Sequence, residues 1–319
     1  MRYEEEQKMK KRKQLWIVLG VVIVLVIGTC AGMVVLVALA TGGGMGLGEA
    51  VAIVRVEGVI LSGSPPVSPF GDGGAYSDQI VEHLEQAQED SSVKAIVLRV
   101  NSPGGSVVAS DEIYQQMLEV EKPIVVSMGE LAASGGYYIS APADVIMANP
   151  ATLTGSIGVI TQVPNLEELM EKIGVEVVVI KSGIHKDEGS PFREMTEEEK
   201  AIWQAIIDEA YGQFVAIVAE GRDLPEEKVR EIADGRVYTG KQAMELGLVD
   251  ELGNLPEAID RAAELGGIEG EPRLVEYHRP PTLFESFFGS LVSPFQPFDL
   301  AKLLDLEGRP SLQYLYVEP

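Results

Sequence analysis

The chain has 319 residues, is 46% hydrophobic, and carries a formal net charge of −24 with one cysteine and three histidines. That acidity excludes nucleic acid and anionic headgroups as electrostatic partners. A lone cysteine excludes a disulfide framework, and three scattered histidines without an HExxH pair leave no basis for catalytic zinc, so no metal or cofactor is expected.

Residues 1–14 hold six Lys or Arg side chains and three Glu, so the acidity belongs to the rest of the chain. Residues 15–40, LWIVLGVVIVLVIGTCAGMVVLVALA, contain no charge. About 20 apolar residues cross a bilayer core, so this run predicts one transmembrane helix. The basic flank predicts residues 1–14 in the cytoplasm and everything after residue 40 on the outer face of a bacterial cell membrane. The run exceeds the roughly 7–15 apolar residues of a cleaved signal, which favours an uncleaved anchor. Lipid attachment at Cys30 is disfavoured, because Thr29 stands where a small Ala or Gly is expected. Residues 41–49, TGGGMGLGE, read as a flexible glycine linker.

Strand-like and helix-like segments alternate through residues 50–265. AVAIVRVEGVI predicts a strand and SDQIVEHLEQAQED an amphipathic helix capped by Ser77. VKAIVLRV (93–100) has the β-branched, wholly buried character of a central strand, SVVASDEIYQQMLEV (106–120) is helical, and PIVVSMG (123–129) is again a strand. ADVIMANP and VEVVVIKSG predict two further strands. Thr196 and Glu199 form a T-x-x-E capping box, and helices continue to about residue 265. Repeated βαβ units predict an α/β fold with a mainly parallel sheet covered by helices. Residues 266–319 become rich in Pro and Phe and predict an extended tail that docks on something.

Three loops follow buried strands, and in such a layout the carboxyl ends of parallel strands converge on one edge. In VNSPGGSV (100–107), paired glycines allow close backbone approach before a helix whose first amides are free donors, a place suited to a developing oxyanion. In GELAASGGYYIS (129–140), Ser134 lies in A-x-S-x-G, a near relative of the G-x-S-x-G nucleophile elbow. Taken singly, a serine among small residues is more often a packing feature than a nucleophile. In KSGIHKDEGSPFREM (181–195), a long polar loop offers Lys181, His185 and Lys186. A serine hydroxyl needs a base. His185 is ready for that role near neutral pH, whereas a lysine must be neutral, which Asp187, Glu188 and the acidic chain oppose. The residues alone leave these bases unseparated.

RVNSPGGSV, AASGGYYIS, TLTGSIGVI, KSGIHKDEGSPFREMT and ADGRVYTGKQAMELGLVDELG, in this order over roughly residues 50–265, resemble peptidase family S49, the signal peptide peptidase A family, in its short single-repeat bacterial form. The resemblance implies a crotonase-like fold related to Clp protease and a Ser–Lys dyad. The serine of the AASGG motif matches Ser134 and the lysine of the HKD motif matches Lys186, so the resemblance selects Lys186 over His185. It also points to Gly105 and Gly135 as the oxyanion amides. It implies a homo-oligomer, an octamer for the short form, with serine and lysine of one site drawn from neighbouring protomers.

The function so implied is a membrane-anchored serine endopeptidase that degrades remnant signal peptides after export. The tail, ending LQYLYVEP, itself resembles such a substrate and is expected to occupy the site or be trimmed by it. Two other classes compete: an acyl-CoA hydrolase or transferase on the same fold, which an outer location disfavours, and a non-catalytic membrane scaffold.

Overall fold

The computed structural model describes Gly28 and residues 48–65, 74–277 and 313–315. The predicted basic tail, the anchor apart from Gly28, and most of the linker and C-terminal tail lie outside the described residues. Among the described residues no helix is long and apolar enough to cross a membrane.

The first predicted strand divides at Gly58 (φ 85°) into β1 (Ala50–Glu57) and β2 (Ile60–Leu61). A short β3 (Ala75–Tyr76) leads into α1 (Ser77–Glu89). Ser77 is the first residue of that helix rather than its cap; its Oγ accepts the Gly63 N–H at 3.2 Å instead. Then come β4 (Val93–Ser102), β5 (Gly104–Ser106) and α2 (Val107–Glu119), which Ser106 caps by accepting the Ala109 N–H at 3.3 Å. β6 (Ile124–Ala133) runs four residues past its predicted end and delivers the chain to a one-turn α3 (Gly135–Tyr138). The chain continues as β7 (Val145–Ala148), β8 (Leu153–Gly155), α4 (Glu167–Ile173), α5 (Glu197–Gly221), α6 (Glu226–Ile232), β9 (Val237–Thr239), α7 (Gly240–Leu246), β10 (Glu251–Leu252) and α8 (Leu255–Leu265). Thr196 and Glu199 make the capping box at the start of α5.

The main sheet has the order β10-β7-β6-β4-β1-β11, where β11 is Arg273–Glu276, and every pair along it is parallel. Four residues of the predicted tail form β11 and extend the sheet beside β1. Strands covered on both faces must be apolar on both. Ala50, Ala52, Val54 and Val56 of β1 join one core with Ile96, Leu98 and Val126, while Val51 and Ile53 join a second with Val97, Val125 and Ala258 and Ala262 of α8.

β6 is shared between two partners. Its first half pairs with β7 and its second half, Leu131–Ala133, pairs with β8. The β4–β6 register shifts between Val100 and Ser102, where Gly129 presses on Asn101. Such an irregularity bends the strand pair and re-aims the residues beyond it. A second sheet, β12-β5-β2-β3, lies at this end, with β12 formed by Gln313–Leu315 of the tail.

The predicted strand VEVVVIKSG is absent as a strand. Residues 175–180 are irregular and open to solvent, and Ile180 is 96% exposed. A β-branched run becomes a strand only against a hydrogen-bonding neighbour, and among the described residues this one has none.

Candidate active site

Parallel pairing of β4 with β6 sets their carboxyl ends side by side, and two of the three predicted loops leave from these ends. Ser134 follows β6 directly, with φ 54° and ψ −117°, in a region that residues with a Cβ rarely enter. It is held there on both sides. Its N–H donates to Gly155 O of β8 at 2.8 Å, and its carbonyl accepts the N–H groups of Tyr137 and Tyr138 at 2.9 Å each. Ser134 is 1% exposed.

The Pro-Gly-Gly loop packs on this turn with no room for side chains. A Cβ at Gly135 would lie 3.1 Å from Gly104 Cα and 3.2 Å from Gly105 N. Gly104 has φ 95°, and a Cβ there would overlap the Tyr314 carbonyl and stand 2.5 Å from Gly135 N. The Tyr314 carbonyl and the amide after Ser134 therefore border the same methyl-sized space. Ser102 Oγ accepts the Gly104 N–H at 3.0 Å, which fixes the entry to the loop.

β12 occupies this edge as a peptide. It pairs antiparallel with β5, Tyr314 opposite Gly105. On its other side Gln313 exchanges both backbone hydrogen bonds with Ile160 at 3.1 Å. Tyr314 is fully buried. Its ring stacks on Tyr138 and leans on Phe214, with centroids 4.8 Å away in each case, and its hydroxyl donates to Ala210 O at 3.0 Å. Tyr138 in turn donates to Asp111 Oδ1 at 2.8 Å. Burial pushes the Tyr314 and Tyr138 hydroxyls well above the usual tyrosine range, so both remain neutral donors. Beside the strand opens a cavity of about 560 Å³ lined by Ser156, Ile157, Gly158, Asp208 and Tyr211.

The third loop lies elsewhere in the chain. Lys181, His185 and Lys186 are exposed, and among the described residues no hydrogen bond or ion pair joins residues 181–195 to Ser134. The acidic neighbours of Lys186 are engaged. Asp187 takes Lys181 Nζ at 2.6 Å and a two-pronged contact from Arg193, while Glu188 meets His185 Nδ1. Among the described residues no three His, Cys, Asp or Glu side chains converge in the manner of a metal site.

The family model of Clp protease matches residues 73–154, and that of peptidase family S49 matches residues 116–269. A candidate protease of Synechocystis is 52% identical over 221 residues, which is 69% of this chain and 75% of that one. The chain belongs to peptidase family S49. A candidate signal peptide peptidase SppA of Enterococcus faecium is 39% identical over 248 residues, 75% of this chain and 72% of that one. The chloroplastic serine protease SPPA of Arabidopsis thaliana is 37% identical over 239 residues, 73% of this chain and 35% of that one. As a member of S49 the chain is a serine peptidase. The Clp match spans the Pro-Gly-Gly loop and Ser134, and the S49 match spans Ser134 and the 181–195 loop.

Three features of this S49 chain escape a reading of its sequence. Ser156, next to the carbonyl that holds Ser134, is buried with φ 50°, and only its place in TLTGSIG hints at it. The aromatic pocket joins Tyr138, the second tyrosine of GGYY, to Phe214 from 76 residues downstream, a meeting no local pattern encodes. Arg193 reads as one more loop charge, yet its guanidinium bridges Asp187 to Glu199.

Proposed function

We propose that this peptidase is a Ser–Lys endopeptidase in which Ser134 is the nucleophile and Lys186 the general base. Neutral Lys186 takes the Ser134 Oγ proton as Oγ bonds to the peptide carbonyl carbon. The carbonyl oxygen becomes an oxyanion facing the Gly105 and Gly135 amides. Lys186 then gives its proton to the leaving amine as the C–N bond breaks. Water, deprotonated by the same lysine, hydrolyses the acyl-enzyme and restores Ser134.

The observation that carries this reading is the docked tail. A peptide segment lies as an antiparallel strand on β5, its carbonyl beside the amide that follows Ser134. Extended main-chain pairing with a pocket for alternate side chains is a general way to bind peptides of varied sequence. The aromatic pocket of Tyr138 and Phe214 suits apolar side chains such as those of remnant signal peptides, and the fold we propose is the crotonase-like one of the Clp proteases.

In this reading Lys186 reaches Ser134 from another copy, in keeping with the lack, among the described residues, of any hydrogen bond or ion pair between its loop and Ser134. The exposed run 175–180 supports a homo-oligomer, which we take to be an octamer, with this run paired to a neighbour. We further propose that residues 15–40 form a single-pass anchor that holds the catalytic domain on the outer membrane face, with the N-terminus cytoplasmic. Confinement there raises the effective concentration of membrane-released peptides.

The test uses the full-length enzyme with Ser134→Ala and Lys186→Ala. Each is expected to assemble, to fail on a fluorogenic apolar peptide, and to regain partial activity when the two are mixed. Recovery on mixing requires the dyad to span two copies. An active Lys186→Ala enzyme would overturn the dyad and return His185 and Lys181 as bases.

A further inference from the structure

We infer that Arg193 is the positioning residue of the Lys186 loop: it clamps Asp187 to the start of α5 and offsets the carboxylate that lies next to the base. The inference rests on the Ser134–Lys186 reading and deepens it, because it accounts for how a lysine flanked by Asp187 and Glu188 can act as a base.

The clamp uses every nitrogen of the guanidinium. Nε donates to Asp187 Oδ2 at 3.0 Å and Nη2 donates to Asp187 Oδ1 at 2.9 Å, a forked contact. Nη2 also donates to the Asp187 carbonyl at 3.0 Å, so main chain and side chain are both gripped. On the far side Nη1 donates to Glu199 Oε2 at 2.8 Å and Nη2 meets Glu199 Oε1. Glu199 is itself fixed, since Oε2 accepts the Thr196 N–H at 2.8 Å in the capping box. Asp187 is thereby tied to a 25-residue helix. Lys186 sits one residue before this anchor, in a turn closed by its own N–H to Gly183 O at 3.2 Å and by Ser190 N–H to Asp187 O at 3.1 Å.

The electrostatic part follows from the same contacts. A free carboxylate beside a lysine favours the protonated, non-basic form. Here Asp187 lies between two cations, Arg193 and Lys181, and its carboxyl is held well below the usual carboxylate range, first by Arg193 and then by Lys181. Of the other groups around the turn, Glu199 belongs to Arg193, and Glu188 lies against His185 Nδ1, a contact that is an ion pair only when the imidazole is protonated. Glu167 of α4 accepts the Glu194 N–H at 3.0 Å. Where the lysine enters a neighbouring copy, the cavity beside Ser134 adds Asp208 and Asp234, and Asp234 is paired to Arg236 at 2.7 Å. Among the described residues the Lys186 side-chain nitrogen has no ion pair or hydrogen bond, while the groups on either side of it do.

A lysine at position 193 could supply charge but not the fork, because a guanidinium offers paired donors in one plane and an ammonium is a point charge. Charge compensation and geometry therefore separate experimentally. The measurement is the pH dependence of kcat/KM for full-length enzyme on a fluorogenic apolar peptide, with assembly and thermal stability recorded for each variant. In Arg193→Gln the acid limb of the profile is expected to move up by about one pH unit, lowering activity near neutrality about tenfold while alkaline activity largely recovers. In Asp187→Asn, where Lys181 loses its carboxylate and Arg193 keeps only that of Glu199, the limb is expected to move the opposite way. The double variant is expected to lie between them, and Arg193→Lys to restore the limb with reduced kcat.

A purely structural role would lower activity evenly across pH in both single variants, and that result overturns the inference. So does an unmoved limb in Arg193→Gln. If Arg193→Gln fails to fold, the direction of the Asp187→Asn shift still decides. If Lys186→Ala keeps activity, the dyad and the clamp fall together. If Lys186→Ala is inactive and the limbs of both single variants are unmoved, only the clamp falls.

Discussion

Ser134 spends conformational energy to be where it is. A backbone at φ 54° and ψ −117° costs of the order of 1–3 kcal/mol, and it persists because Gly155 O and the Tyr137 and Tyr138 amides hold it. Gly104 is the complementary position, where a side chain would enter the space between the Tyr314 carbonyl and the Gly135 amide. Gly104→Ala is expected to lower kcat/KM at least about 100-fold, read in the peptide assay, because an ångström of displacement at a reacting centre has that effect. Glu199 offers a pH test of the same kind. Hydrogen bonds from Arg193, then from the Thr196 amide, hold its carboxyl down to about 2. A depressed acid stabilises the fold fully above its unfolded pKa and ceases to do so as pH falls through the folded value. The advantage in Tm of wild type over Glu199→Gln is therefore expected to be constant above about pH 5 and to vanish between about pH 4.5 and pH 2. At this scale the sequence was legible where chemistry is local. The small residues of A-x-S-x-G and Pro-Gly-Gly point to a close approach of two backbones, and the Pro-Gly-Gly loop does pack on the turn after Ser134, but the meeting of Arg193 with Asp187 and Glu199 depends on a loop path that no periodicity encodes.

The elements read from hydrophobic pattern fared according to whether the chain itself supplied their partners. β4 and β6 are apolar on both faces and lie centrally in the main sheet, and α2 begins at its capping serine. Residues 175–180 share the β-branched character of β4 but have no strand beside them among the described residues, so their pattern reads as a strand while their structure is irregular. β12 is the converse case: a three-residue segment, too short to stand as a strand alone, is ordered by two flanking backbones. Removing residues 313–319 is expected to raise kcat/KM for short apolar peptides several-fold, because it frees the strand position on β5. Unchanged kinetics after truncation would mean the tail does not compete. If the tail is a substrate as well as an occupant, intact mass of purified wild type should reveal loss of terminal residues that Ser134→Ala retains.

As a whole molecule the chain exposes what a monomer would hide. Val178, Ile180 and Ile184 are 74%, 96% and 72% exposed on the segment that leads to Lys186. Side chains of that kind, left in water on a protein this acidic, mark an interaction surface rather than a finished exterior. Ile180→Asp is expected to yield smaller assemblies by light scattering and to lose peptidase activity in proportion, although Ser134 and its supports are untouched. Burying Ile180 in a second copy and bringing Lys186 to Ser134 would then be one event, so that an unassembled chain is harmless while it is being made.

A docked strand that competes with substrate would give the enzyme a threshold. A tethered segment competes at an effective concentration in the range of about 1 mM for short flexible linkers, falling as the linker lengthens. A free peptide gains the β5 edge only by abundance, or by filling the pocket between Tyr138 and Phe214 better than Tyr314 does. Such an enzyme would pass over stray polypeptide at low concentration and respond when fragments accumulate, with the set point written into the tail.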